Sequence, residues 1–229
     1  MKLLKATVAA ALICTGTTAA QSVPQRNVDG NAVVLHADPR VRVRLPESAH
    51  YVGTDAWVLY GIANCQQYAF VQADSQKHVS RLYWVQFESY IPSMPKLHHT
   101  YTSKRHATLG GMDFYVDTWI EKSADRERSP DLTPLEAFLR AKGYEVPPGI
   151  NSGSDEQHID ALLNAKGYTL PSTTMSVRLV HLVDKRQRKE LMIIYTEDLA
   201  GTDLTHDRWK AIEEGLIRRA KENVAVSHV

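Results

Sequence analysis

The sequence predicts an α+β fold: a mainly antiparallel, curved β-sheet of about six to seven strands with helices packed against it. Three observations lead to this class. Segments rich in aromatic and β-branched residues follow one another between residues 56 and 121, two helical segments with a shared motif come next, and a hairpin near residue 186 is apolar on both faces. We expect residues 33–229 to form a single domain, because this length is enough to bury one substantial core.

The first 20 residues have the pattern of a Sec-type signal peptide. Lys2 and Lys5 form a basic end, residues 6–15 an apolar run, and residues 18–20 a cleavage site of small residues. The run is about half the roughly 20 residues that a helical membrane span needs. We therefore expect cleavage near Ala20, a periplasmic or secreted location, and a mature chain with no membrane span.

Two short segments follow the leader. Residues 21–32 are polar and contain Pro24 and Gly30, which predicts a flexible arm. Residues 40–45 alternate arginine with valine or leucine, a pattern typical of a strand with one apolar face. Because its other face would carry three arginines, we expect this strand at a sheet edge.

Four segments predict a meander of strands: residues 56–63, 65–73, 79–90 and 112–121. Pairing Ala73 with Val79 across the polar turn at residues 74–78 would place two pairs of large side chains on one face, namely Tyr68, Phe70, Leu82 and Trp84. Tyr83 would then lie on the opposite face. A sheet lined with such residues forms either an ordinary core or a small-molecule pocket. The candidate ligand-binding residues are Tyr68, Tyr83, Trp84 and His181.

A duplicated helical unit occupies residues 131–147 and 155–171. The two copies share the motif A-x-L-x-A-K-G-Y-x-x-P at an offset of 24 residues. Asp131 and Asp155 stand at matching starts, where a carboxylate caps a helix, and Gly143 and Gly167 stand where a helix ends in the left-handed conformation. Two copies are too few for a solenoid, so we interpret them as a local elaboration of one domain.

The clearest hairpin joins residues 175–184 to residues 189–198. Pairing Asp184 with Lys189 would place His181 on the same face as Met192 and Ile194. Strands that are apolar on both faces belong in the middle of a covered sheet. We expect the basic turn between them to be solvated, and a final amphipathic helix at residues 206–224.

Composition excludes several classes of function. Removing Lys2 and Lys5 with the leader changes the formal net charge from +1 to −1, which disfavours a nucleic-acid partner. Only Cys65 remains after cleavage, so no internal disulfide is expected. Gly-rich phosphate loops and the nucleophile elbow G-x-S-x-G have no match in the chain, and no cofactor is expected.

Histidines supply the remaining candidates for chemistry. His98, His99 and His106 form the densest group and are the candidate metal ligands, although adjacent histidines on an extended chain point to opposite sides and nearby lysine and arginine disfavour a cation. His181 is the candidate general base, with no local feature selecting its acidic partner. The alternatives for that partner are Glu88, Glu190, Glu197 and Asp198.

The leading interpretation is an exported soluble protein that binds a small, apolar molecule or an envelope protein, rather than an enzyme. The aromatic meander, the two-sided hairpin and the missing catalytic motifs favour it. The alternative is a hydrolase or metal-assisted enzyme that uses His181 or the group of His98, His99 and His106. A homo-oligomer, whose second chain covers the two-sided sheet, also remains open.

Overall fold

The computed structural model describes residues 26–36, 39–126, 128–202 and 206–229. The strands are β1 (Arg26–Asp29), β2 (Ala32–Leu35), β3 (Val41–Arg44), β4 (His50–Leu59), β5 (Ala63–Ala73), β6 (Val79–Tyr90), β7 (His106–Leu109), β8 (Met112–Lys122), β9 (Thr173–Leu182), β10 (Lys189–Asp198) and β11 (Ala225–His228). The helices are α1 (Ser123–Arg126), α2 (Thr133–Ala141), α3 (Asp155–Ala165) and α4 (His206–Asn223).

Two antiparallel sheets contain the described strands. The larger has seven strands in the order β4-β5-β6-β10-β9-β8-β7, and the smaller has four in the order β1-β2-β3-β11. The predicted α+β class with a seven-stranded antiparallel sheet is therefore confirmed. In the described part of the chain, no helix has the length and apolar character needed to cross a membrane.

The main core lies between one face of the seven-stranded sheet, the four-stranded sheet and α4. Its largest buried side chains are aromatic and come from the middle strands: Tyr68, Phe70, Tyr83, Phe87, Phe114 and Tyr195. Leu216 and Ala220 of α4 complete it. Removing this apolar surface from water is the main force that holds the two sheets together.

The duplicated units cover the other face of the seven-stranded sheet. Leu139 of α2 packs in one apolar cluster with Leu59, Ala63 and Leu97, while its repeat counterpart Leu163 of α3 packs in a second cluster. That second cluster includes Ala69, Val71, Trp84 and Ile194. Equivalent helices therefore cover two neighbouring patches of one sheet face.

The ends of the two units also match. Gly143 and Gly167 have φ of +81° and +78°, which confirms the predicted left-handed turns. Lys96 donates from Nζ to the carbonyl oxygen of Lys142 at 3.0 Å, and Lys77 donates likewise to that of Lys166 at 2.7 Å. Each copy is thus closed by a lysine from outside the repeat, satisfying a carbonyl that the helix leaves free.

The starts of the two units differ from the prediction. Ser154, not Asp155, caps α3: its hydroxyl accepts from the backbone N–H of Gln157, and Oε1 of Gln157 accepts in turn from the backbone N–H of Ser154. Asp131 accepts from the N–H of Thr133 at 3.0 Å but precedes the α2 cap. Asp155 is therefore free to point away from the helix end.

The β5–β6 pair begins at the turn as predicted, but its register differs along the rest of the two strands. Ala73 does pair with Val79, yet a bulge after Gln72 shifts every later pair by one residue, so that Phe70 lies opposite Tyr83. Because a one-residue slip exchanges faces, Tyr68 and Phe70 share the main core with Tyr83, while Trp84 lies on the helix-covered face. The predicted face assignment was wrong for this reason.

The β9–β10 hairpin is shifted in the same way. Val183 donates its N–H to the Lys189 carbonyl, which leaves a five-residue turn from Asp184 to Arg188, with Gln187 at a φ of +54°. The predicted pairing of Asp184 with Lys189 assumed a four-residue turn. As a result, His181 lies opposite Leu191, and Met192 and Ile194 belong to the other face.

The N-terminal part is more ordered than expected. β1 and β2 form a hairpin through Gly30, so a strand lies within residues 21–32, where the sequence predicted a flexible arm. Residues 1–25, including the leader, lie outside the described residues. β3 pairs with both β2 and β11, so the edge position predicted for residues 40–45 was wrong. Its arginines face outward, and Arg42 pairs with Asp29 at 2.9 Å.

Candidate functional site

A row of polar side chains crosses the helix-covered face between the two apolar clusters. We call this row the polar seam and define it as Gln67, Gln86, Glu88 and Glu190. Gln67 lies opposite Gln86 on the β5–β6 pair, and Glu88 lies opposite Glu190 on the β6–β10 pair. Both glutamines are fully buried, and both amide atoms of Gln67 and Nε2 of Gln86 lack a hydrogen-bond partner among the described residues. Buried polar groups without partners are rare enough to mark a site.

The carboxyl groups of Glu88 and Glu190 form the acidic part of the seam. Burial raises the pKa of Glu88 well above its ordinary value, and the charges of Glu190 and Asp155 raise it further. Burial also raises the pKa of Glu190 to about 7, although Tyr101 and Arg178 act in the opposite direction. Two carboxylates placed directly opposite each other repel, so this pair holds a proton or attracts a cation at neutral pH.

The segment between β6 and β7 brings His99 and Tyr101 to Glu190. Nδ1 of His99 lies 3.1 Å from Oε2 of Glu190, and the Tyr101 hydroxyl donates to the same oxygen at 2.7 Å. The His99 ring stacks on Tyr90 with ring centroids 4.4 Å apart, and its backbone N–H donates to the Gln187 carbonyl at 2.7 Å. Burial lowers the pKa of His99 to about 4, so the ring is neutral at pH 7.

Arg188 holds this segment in place. Its guanidinium donates to four backbone carbonyls, those of Tyr90, Ile91, Met94 and Leu97, at 2.6–3.2 Å. The β9–β10 turn, which the sequence predicted to be solvated, therefore contains one arginine, Arg188, whose side chain points inward. The five-residue turn directs Arg188 inward and leaves Arg186 exposed.

Asp155 connects the seam to an open cleft. As the first residue of α3 it lies close enough for its charge to raise the pKa values of Glu88 and Glu190, and it also lines a cavity of about 450 Å³. The other lining residues are Trp84, Asp117, Thr118, Trp119, Glu121, Glu156, Arg178, Met192 and Ile194. This volume suits a small organic molecule.

The cleft is acidic. Arg178 is its one basic lining residue, and its guanidinium donates to Asp117 at 2.9 Å while lying 6.0 Å from the centre of the Trp119 ring. Burial, followed by the charge of Glu156, raises the pKa of Asp155 to about 7. The same two causes raise the pKa of Glu121 to about 7 against the effect of Arg126. Glu121 lies 3.7 Å from Arg126, whereas no ion pair of Asp155 is seen among the described residues.

No family model, curated protein or solved structure matches this chain. The geometry of the site is therefore the basis for its function.

The structure separates the predicted ligand-binding residues. Tyr68 and Tyr83 lie in the main core, and Tyr83 is fully buried there. Trp84 lines the cleft. His181 is partly exposed on the core side of β9, with Nδ1 2.8 Å from the Asp113 carbonyl oxygen and its ring against Phe114. It does not line the cleft, and neither Glu88 nor Glu190 is its partner.

The structure also separates the three candidate metal ligands. His98 is exposed and His99 is buried, as expected for neighbours on an extended chain. His106 lies on β7, with Nδ1 2.9 Å from Oδ2 of Asp113. Of the three, His99 alone reaches the polar seam.

Sequence reasoning missed most of the site residues. Glu88 and Glu190 were named as possible partners of His181, but their juxtaposition depends on the β6–β10 pairing, which the sequence did not predict. Asp155 was interpreted as a cap. The signal that could have revealed it was Ser154-x-x-Gln157, a capping box that assigns the cap to the serine and releases the following aspartate.

Proposed function

We propose that this chain is an exported binding protein whose cleft takes a small organic cation. The observation that carries the proposal is the lining of the cleft: Asp117, Glu121, Asp155 and Glu156 face one arginine, beside the indole rings of Trp84 and Trp119. The export part of the proposal rests on the leader pattern in residues 1–20. The cleft favours a charged ligand over the apolar ligand expected from the aromatic meander.

Charge supports a cation. Arg178 is engaged with Asp117 and Arg126 lies 3.7 Å from Glu121, which leaves Asp155 and Glu156 as the main sources of negative potential. The raised pKa values of Asp155 and Glu121 show that burial and mutual repulsion disfavour their ionised forms. A bound cation relieves that repulsion and makes ionisation favourable.

Aromatic side chains support an organic cation over a simple ion. An ammonium group is attracted to the face of an indole ring, and this attraction grows when the group is desolvated. Trp119 is partly exposed at the cleft, whereas Trp84 is buried in its floor and anchored by an indole N–H to Gln86 at 3.0 Å. A ligand with an alkyl or quaternary ammonium group could use both the rings and the carboxylates.

Isothermal titration calorimetry with matched ligands tests the proposal. The probes are choline and putrescine, each compared with a neutral analogue of similar size, 3,3-dimethylbutan-1-ol and 1,4-butanediol. We expect at least one amine to bind at least about tenfold more tightly than its neutral analogue, a difference that corresponds to about 1.4 kcal/mol. Equal binding of an amine and its neutral analogue, or no binding of either amine, would contradict the proposal.

The duplicated unit supplies a matched control. Asp155→Asn removes a cleft carboxylate, whereas Asp131→Asn makes the same change at the equivalent, exposed position of the first copy. We expect weaker amine binding in the first variant and unchanged binding in the second. Trp119→Leu should also weaken binding. Identical affinities in the two aspartate variants would remove Asp155 from the proposed site.

A further inference from the structure

A mixed set of ligand atoms meets in the polar seam. Glu88, His99 and Glu190 each offer one ligand atom, and these three atoms all lie within 4.8 Å of one another. They come from β6, the segment after it, and β10. Nitrogen and carboxylate oxygen together are the donors that zinc and its neighbours accept, whereas calcium and magnesium prefer oxygen alone.

The spacing of these atoms fits one ion. Nδ1 of His99 and Oε2 of Glu190 are 3.1 Å apart. Ligands at about 2.0–2.1 Å from a tetrahedral zinc ion lie about 3.3 Å from each other. The Glu88 ligand atom lies within 4.8 Å of both of these atoms.

The hydrogen bonding of His99 is incomplete, which is a second and independent observation. Its side chain is 6% exposed, and Nε2 has no partner among the described residues. With the ring proton on Nε2, the lone pair of Nδ1 faces the Glu190 oxygen 3.1 Å away and is available to a cation placed between the two atoms. A neutral imidazole with a free lone pair is the form that binds a metal ion.

Charge also favours an added cation. Arg178 is paired with Asp117, and within the described residues no ion pair with lysine or arginine is seen for Glu88, Glu190 or Asp155. The Tyr101 hydroxyl, which donates to Glu190, is placed to orient a ligating carboxylate from outside the ligand set. A divalent ion would offset the charge of the two glutamates.

We infer that Glu88, His99 and Glu190 bind one divalent transition-metal ion of the zinc class. This site is separate from the organic-cation cleft, although Asp155 and Arg178 of the cleft lie close enough to act on Glu190. The ion links β6, β10 and the segment between β6 and β7, so it also stabilises that segment. An experiment can therefore refute metal binding at this site without refuting amine binding in the cleft, and the reverse.

Titration of tag-free, chelator-treated protein with Zn²⁺ tests this inference. We expect one strong site by calorimetry, a rise in the unfolding temperature, and visible absorption of Co²⁺ bound in its place. His99→Ala should abolish the site, and the isosteric Glu88→Gln and Glu190→Gln should weaken it at least about tenfold. His98→Ala, at the exposed neighbouring position, should leave the affinity unchanged.

Several outcomes would overturn the inference. They are the absence of a strong Zn²⁺ site in the wild-type protein, equal affinities in His99→Ala and His98→Ala, or preferential binding of Mg²⁺ or Ca²⁺. If His99→Ala does not fold, as judged by circular dichroism, the isosteric glutamine variants and the Co²⁺ spectrum of the wild type still show whether these residues bind the metal ion. Amine titrations on the same samples show whether the cleft is affected separately.

Discussion

Replacing Arg188 by alanine should loosen the segment that carries His99. The guanidinium makes hydrogen bonds at 2.6 and 3.0 Å to the carbonyls of Met94 and Leu97, and at 3.2 and 3.0 Å to those of Tyr90 and Ile91. The side chain is partly buried, and it connects the β9–β10 turn to a segment without regular structure. Alanine would leave four carbonyls without this donor.

The expected loss of stability follows from these four bonds. A hydrogen bond to a charged group contributes roughly 1.5–3 kcal/mol, but water would reach some of the freed carbonyls and recover part of that value. We therefore expect a decrease of about 3 kcal/mol in the free energy of unfolding. For a chain of this size, that corresponds to a fall of roughly 6–12 °C in the unfolding temperature.

Urea unfolding followed by tryptophan fluorescence measures this change. Arg186→Ala is the control, because Arg186 belongs to the same turn, has the same charge and is exposed. The control should remain within about 0.5 kcal/mol of the wild type. If both variants unfold at the same urea concentration, the four hydrogen bonds do not stabilise the fold and our account of this segment is refuted.

Three further predictions concern pH, a close contact and the duplicated unit. Burial raises the pKa of Glu121 to about 7 from an ordinary 4.5, so folding favours the neutral form of this carboxyl group. Its contribution to the free energy of unfolding is therefore complete below about pH 4.5 and is lost as the pH rises through 7. In urea titrations, Glu121→Gln should make the free energy of unfolding less dependent on pH between about pH 5 and pH 8. Gly61→Ala should destabilise the protein more than Gly30→Ala, because both glycines have positive φ but a Cβ at Gly61 would lie 2.6 Å from the Pro147 Cβ; equal unfolding temperatures would contradict this. Lys77→Met should lower the unfolding temperature about as much as Lys96→Met, since each lysine closes one copy of the repeat, and calorimetric scans showing one change without the other would refute the equivalence.

The strands and helices were predictable because their signals are local. Aromatic and β-branched runs marked β5, β6, β8, β9 and β10, and the glycines of the repeat marked the ends of α2 and α3. Both register errors arose at turns. The bulge after Gln72 and the five-residue turn after Asp184 each add one residue, and strand composition alone does not reveal such additions.

The site was less predictable because its parts are distant in sequence. Glu190 lies 102 positions after Glu88, and their contact depends on the β6–β10 pairing, although three strands, β7, β8 and β9, lie between β6 and β10 in chain order. His99 comes from a segment without periodicity. Its burial depends on Arg188, whose inward direction follows from the turn geometry.

The placement of the polar seam argues that function, not stability, selected its residues. The duplicated helices cover apolar patches on either side, so apolar residues at Gln67, Gln86, Glu88 and Glu190 would have joined these patches into one continuous core. Burying amides without partners and carboxyl groups without cations is unfavourable. A sheet stabilised by packing alone gains nothing from such a row. The cost of burying these polar groups is understandable if the seam binds a cation, because the cation then neutralises the carboxylates that have no cationic partner in the folded chain.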